Sequence, residues 1–188
     1  MTPTTFTTSR SRTADVRVTH TSGMDAATLK AARALLFDVF DDMTSEDWEH
    51  ALGGLHALVH EGGELIGHAS VVQRRLLHNG RALRCGYVEG VGVRADRRGR
   101  GHGAAMMDAL ERVIRNAYGL GALSASDEAT TFYAARGWQL WRGPSWALSP
   151  HGIQRTPDED GCLYVLPTSA PLDLDADLTC DWREGDVW

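Results

Sequence analysis

The chain has 188 residues, 43% of them hydrophobic, and a formal net charge of −6 at pH 7, which suits one domain with a full hydrophobic core. No run approaches the roughly 20 apolar residues that cross a bilayer, the first residues lack the apolar core of a secretion leader, and Cys85, Cys162 and Cys180 show no metal-ligand spacing and suit a reducing cytoplasm. Basic residues crowd between Arg74 and Arg115, whereas acids gather at residues 38–49, 158–160 and 173–186; this asymmetry suggests an anionic cofactor and a cationic substrate, and argues against nucleic acid.

Residues 1–13 are expected to form a flexible tail and residues 14–188 one domain. The alternation of Val16 and Val18 predicts a strand over residues 14–20. Asp25 should cap a helix carrying Leu29, Ala32, Leu35, Leu36 and Val39, which ends near Phe40. Thr44 and Asp47 fit a capping box that opens a short helix through Trp48. Residues 55–60 and 65–77 read as strands joined by a hairpin turn, and Asn79-Gly80 predicts a tight two-residue hairpin into a strand over residues 81–93.

Strand alternation places Leu83, Cys85, Tyr87, Glu89, Val91 and Val93 on one face. A carboxylate in phase with apolar neighbours is either displaced by a bulge or held for use. Gly86, Gly90 and Gly92 make a bulge credible. Partial burial would raise the pKa of Glu89, as a general base working near neutrality requires. The turn that follows, Arg97-Arg98-Gly99-Arg100-Gly101-His102-Gly103, opens a helix with apolar positions Met106, Met107, Leu110, Val113, Ile114 and Ala117. The unpaired first amides of a helix, its dipole and these arginines together make an anion site.

Beyond that helix, residues 120–123 predict a short buried strand, and residues 124–127 a cap for another helix ending at Arg136-Gly137. Strands are expected at residues 146–148 and 162–166, separated by a polar hairpin or loop. Trp182 and Trp188 should pack, which argues against a disordered C-terminal segment.

Arg98-Gly99-Arg100-Gly101-His102-Gly103, directly after a strand, resembles the pyrophosphate-binding turn R-x-x-G-x-G of the GNAT acyltransferases. Phe132-Tyr133-Ala134-Ala135-Arg136-Gly137-Trp138, about 35 residues on, resembles a second signature of that family. The segments at residues 47–58, 73–76, 82–91 and 180–188 narrow the resemblance to the aminoglycoside 2'-N-acetyltransferases of mycobacteria and other actinobacteria. It implies an α+β GNAT fold whose central mixed, mostly antiparallel sheet is flanked by helices. It also implies acetyl-CoA as donor, no metal, a cytoplasmic homodimer and an aminoglycoside acceptor. Cofactor contacts are expected at Val91, Val93, Arg98, Gly99, Arg100, Gly101, His102 and Gly103, with His102 more plausible as a solvated helix-start residue. Substrate contacts are expected at Asp42, Asp47, Glu89, Gly90, Ser124, Asp186, Trp188 and one acid of residues 158–160, taken as Glu159. Glu89 is expected as base and Tyr133 as acid. An endogenous amino sugar as acceptor, or a non-catalytic protein binding acyl-CoA or an aminoglycoside, remains open on the residues alone.

Overall fold

The computed structural model describes residues 15–188, so the expected flexible tail lies outside the described residues. In chain order the elements are β1 (Val16–His20), α1 (Ala26–Val39), α2 (Ser45–His50), β2 (Leu55–Glu61), β3 (Glu64–His78), β4 (Arg81–Val93), α3 (His102–Ala117), β5 (Leu120–Ser124), α4 (Thr130–Ala134), β6 (Gln139–Leu140), β7 (Ser145–Ser149), β8 (Gly152–Arg155), β9 (Leu163–Pro167) and β10 (Leu178–Cys180). The helix starts follow their caps. Asp25 accepts from the Thr28 amide at 2.7 Å, and Thr44 and Asp47 complete their capping box.

The ten strands form one sheet in the order β6-β9-β5-β4-β3-β10-β7-β8, with β2 and then β1 also joined through β3. β3 serves two partners in succession: residues 64–71 pair with β2, and Leu76 and Leu77 pair with β10. Among these pairings only β4 with β5 and β7 with β10 are parallel, so the sheet is mixed and mostly antiparallel. β6 follows Gly137-Trp138, where the family resemblance implies the start of a strand, and β8 forms a hairpin with β7 within the segment expected to be a polar hairpin or loop.

On one face α3 packs Met106, Met107, Leu110 and Ile114 against Val59, Ile66, Val71 and Val88. Each such fully buried side chain stabilises the fold by about 1.5–3 kcal/mol. On the opposite face, to which Leu58 points between Ala57 and Val59, α1 and α2 bring Ala32, Leu36 and Trp48 over Leu58. Farther along that face Leu83, Cys85 and Tyr87 pack with Trp141, Leu178, Cys180 and Trp188.

A bulge in β4 corrects the expected single face of that strand. Ser70 pairs with Glu89 and His68 with Gly92, so Gly90 and Val91 stand opposite the single residue Ala69. One extra residue inverts the phase of a strand. Leu83, Cys85 and Tyr87 therefore face one cluster, whereas Val91 and Val93 join Val88 on the α3 side. Gly90 takes φ +54°, and a Cβ there would lie 2.8 Å from Leu36, so glycine is required on both counts. The cap expected at residues 124–127 is also not made. Ser124 ends β5 and its hydroxyl bonds Glu159, while residues 127–129 form a 3-10 turn before α4, with no side-chain cap on either.

Candidate active site

β4 and β5 pair only from Cys85–Leu120 to Tyr87–Ala122. Beyond Tyr87 the bulge carries β4 away from β5, and the strands part. The gap opens into a cleft of about 640 Å³ whose walls include Asp42, Asp47, Val88, Glu89, Gly90, Val91, Ser124, Tyr133, Arg183, Asp186 and Trp188. Residues from six separate stretches of the chain thus converge where two central strands separate.

Glu89 lies at the head of the bulge. Burial raises its pKa, and the chief opposing influence is the guanidinium of Arg183, which donates to its carboxylate. Arg183 also donates to the Asp186 carbonyl, at 2.8 Å, and to a terminal carboxylate oxygen of Trp188. Below it, Arg74 donates to the Asp181 carboxylate at 2.7 Å and to the Val187 carbonyl at 2.7 Å. These two arginines tie the C-terminal segment across β3 and β4. Trp188 is consequently buried, its indole N–H donates to Thr156 Oγ1 at 2.9 Å, and its amide donates to Asp186 at 3.0 Å. Trp182, expected to pack, is instead 42% exposed, because its neighbours supply the anchors.

Tyr133 faces the same cleft from α4, packed between Phe132 and Trp138. Burial pushes its phenol up to about 12, so it stays protonated. Its placement depends on Glu111, a buried carboxylate on the inner face of α3. Glu111 accepts from Arg136 at 2.7 Å and from the Trp138 indole at 3.0 Å. The Arg136-Gly137-Trp138 sequence is therefore the clamp that seats the end of α4 on α3.

The turn before α3 is open for an anion. Gly101 caps the helix at φ +84° with no side-chain hydrogen bond, so the amides at the helix start carry no cap. Space beside Gly99 and Gly101 is empty. Among the described residues Arg98 and Arg100 are held only by the carbonyls of Val93 and Asp96, at 3.1 and 3.3 Å. Arg97, by contrast, is committed to Glu61 and Asp96, and Arg94 to Glu64 and Asp96. His102 is half-buried rather than solvated, with a buried Nε2 that has no partner among the described residues. Unpaired amides and two guanidiniums not committed to carboxylates fit a pyrophosphate.

The acids divide by how much of each is already used. Asp47 spends Oδ2 on the Thr44 amide and hydroxyl, at 2.9 and 2.8 Å, which leaves Oδ1 for the cleft. Glu159 accepts from Ser124 at 3.2 Å, and burial and the nearby Asp186 raise its pKa. Asp160 is engaged by Arg155 and by Ser145, which hold its carboxyl down at about 2. Among residues 158–160, Glu159 is thus the acid that reaches a cleft residue. Sequence reasoning missed Arg183, Arg74 and Glu111. Glu111 had a legible signal, since it lies in phase with Met107 and Ile114 on the apolar face of α3.

Three comparisons place this geometry among known proteins. A family profile described as "Acetyltransferase (GNAT) domain" matches residues 22–141. The chain is 54% identical over 177 residues to the aminoglycoside 2'-N-acetyltransferase of Mycolicibacterium fortuitum, covering 92% of this chain and 91% of that protein. Among solved structures, the GNAT family N-acetyltransferase YhbS of Escherichia coli, in complex with CoA, superposes with a TM-score of 0.64 at 17% identity over 93% of each chain. Eis1 of Mycobacterium abscessus gives a TM-score of 0.59 at 20% identity, covering 71% of this chain and 33% of that one. The structural likenesses establish the fold, and the long match at 54% identity narrows the group. The chain belongs to the GNAT acetyltransferases and, within them, to the aminoglycoside 2'-N-acetyltransferase family.

Proposed function

We propose that this protein transfers the acetyl group of acetyl-CoA directly to the 2'-amine of aminoglycoside antibiotics and so confers resistance to them. The observation that carries the reading is the cleft itself: a buried carboxylate at the splay of β4 and β5, with Asp42, Asp47 and Asp186 around it. A polycation suits such a wall. Because each exposed ion pair contributes only about 0.2–1 kcal/mol, several carboxylates must act together. Glu159, Ser124, Gly90 and the carboxylate of Trp188 complete the acceptor side.

On the donor side, Arg98 to Gly103 hold the pyrophosphate, and the backbone of Val91 and Val93 lines the path of the acyl arm. Glu89, through a water, takes a proton from the 2'-amine. The amine attacks the thioester carbonyl, which the amides after the bulge polarise. The carbon–sulfur bond then breaks, and Tyr133 protonates the departing thiolate. A cysteine relay is disfavoured, since burial pushes the Cys85 thiol up and keeps it protonated. Cys85→Ala should retain most activity.

Thiol release from acetyl-CoA, measured with aminoglycosides bearing a 2'-amine and with others bearing a 2'-hydroxyl, tests the assignment. Turnover confined to the 2'-amino compounds is expected. Equal turnover with both sets would remove the regiochemistry, and tight binding without turnover would favour a sequestering protein. No helix among the described residues is long and apolar enough to cross a membrane. A cytoplasmic homodimer completes the proposal, supported by the cytoplasmic supply of acetyl-CoA and by the family resemblance; its mass in solution checks the dimer.

A further inference from the structure

A chain of buried hydrogen bonds runs beneath the bulge and has no part in the chemistry above. His56 on β2 and His68 on β3 are both fully buried. They sit diagonally in an antiparallel pair in which His56 faces Ser70 and Leu58 faces His68. Nδ1 of His56 lies 2.9 Å from Nε2 of His68. At one end, Nδ1 of His68 lies 2.9 Å from the carbonyl oxygen of Gly90. At the other, Nε2 of His56 lies 2.7 Å from Thr21 Oγ1, which accepts from the Gly53 amide at 2.8 Å.

The proton positions follow from the end of the chain. A carbonyl only accepts, so Nδ1 of His68 carries the proton. Burial lowers both imidazoles to about 4, so both are neutral near pH 7. Nε2 of a neutral His68 is then the acceptor, His56 donates from Nδ1, and its bare Nε2 takes the Thr21 hydroxyl proton. Each ring nitrogen has a partner, and the chain has one direction, from Thr21 to Gly90.

Two imidazoles are costly core material unless every polar atom is matched, and apolar side chains would fill the space more simply. What the pair supplies that apolar groups cannot is a donor under the Gly90 carbonyl. Gly90 and Val91 leave the β3–β4 ladder between Glu89 and Gly92. The ring of His68 also lies against Trp48 of α2, with centroids 6.2 Å apart, and α2 carries Asp47. One side chain thus supports both the bulge behind Glu89 and the helix that presents an acid to the cleft.

We propose that His68, oriented by His56 and Thr21, is a positioning residue whose Nδ1–H holds the Gly90 carbonyl and so fixes the bulge that aims Glu89 into the cleft. The proposal rests on Glu89 acting as the base. Two substitutions separate the two ends of the ring: His68→Asn keeps an amide donor near the Nδ1 position, and His68→Gln keeps an acceptor, its amide oxygen, near Nε2 and gives up the bond to Gly90. Both lose one hydrogen bond of the chain, so a purely structural role lowers Tm alike in both and changes kcat alike.

The positioning role gives a different pattern. His68→Gln should lower kcat by about 10- to 100-fold, as misplacement by about an ångström does, with KM for acetyl-CoA within about twofold, whereas His68→Asn should stay within a few-fold of the parent. Amide hydrogen exchange over residues 88–93 should accelerate in His68→Gln and stay near the parent rate in His68→Asn, a readout independent of turnover. Equal kcat and equal exchange in the two variants would overturn the proposal. Glu89→Gln in the same assay isolates the other premise: full activity there, with altered exchange in His68→Gln, would remove Glu89 as base and leave the support of the bulge standing.

Discussion

Acid should destabilise this fold through the same two histidines, and the depth of their pKa depression sets the size. Both rings stand at about 4 in the folded protein, because burial penalises the charged form; an unfolded histidine titrates near 6.5. The folded pKa is depressed, so the unfolded chain binds more protons between pH 6.5 and 4. Stability from this source is complete above about 6.5 and declines as pH falls toward 4. Taking each ring separately, the loss between pH 7 and pH 5 is about 2 kcal/mol, or about 4 kcal/mol for the pair. That is a large share of the roughly 5–15 kcal/mol available to a domain. Glu89 and Glu159, both raised by burial, change in the opposite sense, since protonation favours their folded forms. The histidine effect is therefore isolated by difference. Urea denaturation at pH 7, 6 and 5 would be compared for the parent and a His56→Asn/His68→Asn double variant, which starts less stable. The parent should lose several kcal/mol more than the variant over this range. Parallel pH dependences in the two proteins would refute the burial of two neutral imidazoles as the cause.

Glu89→Gln should lower kcat by about 100- to 10,000-fold while acetyl-CoA still binds by calorimetry. Arg183→Met removes the cation that most opposes the burial of Glu89, so the acidic limb of the kcat/KM profile should move to higher pH; an unmoved or lowered limb would separate the pair from catalysis. Tyr133→Phe should reduce kcat about 100-fold with natural acetyl-CoA and less with an acyl donor of more acidic thiol, and in the parent no loss of activity should appear below about pH 10 because the phenol titrates near 12. Tyr87 is buried with an unpartnered hydroxyl in the cleft wall. Tyr87→Phe should thus raise stability by about 1 kcal/mol, and any accompanying fall in kcat would show that the hydroxyl serves a water or substrate.

Much of this site was legible because its parts are local. The capping box at Thr44 and Asp47, the Asn79-Gly80 hairpin and the helix opening at Gly101 each depend on a few adjacent residues, and each formed where the pattern placed it. Glu89 stood out for the same reason, as a carboxylate in an apolar phase. What misled the reading of that strand was the bulge: alternation assumes one partner residue per position, and the extra residue at Gly90 and Val91 sent Val91 and Val93 to the other face. Arg183 and His68 left no local trace. Arg183 acts on a carboxylate 94 residues away, and His68 looks like any polar residue within a strand until β2 and β4 are brought to either side of it.

The order in which these parts depend on one another also follows from the structure. The bulge parts β4 from β5 and creates the cleft, but a bulge with a positive φ is not held by ladder pairing at its own residues. It is held from behind by the His68 donor and from above by Leu36 of α1, which leaves no room for a Cβ on Gly90. From the front, Arg183 fixes the carboxylate of Glu89 while bonded to the last residue of the chain. Glu89, the proposed base, is therefore positioned by contacts from β3, α1 and the C-terminal segment, none of which is adjacent to it in sequence. A cationic acceptor approaching Glu89 meets Arg183 already in place. In the proposed function its affinity comes from Asp42, Asp47, Glu159 and Asp186 acting together, so neutralising any one of them should raise the acceptor KM by only a few-fold, while neutralising all four should abolish saturation and leave the KM for acetyl-CoA unchanged.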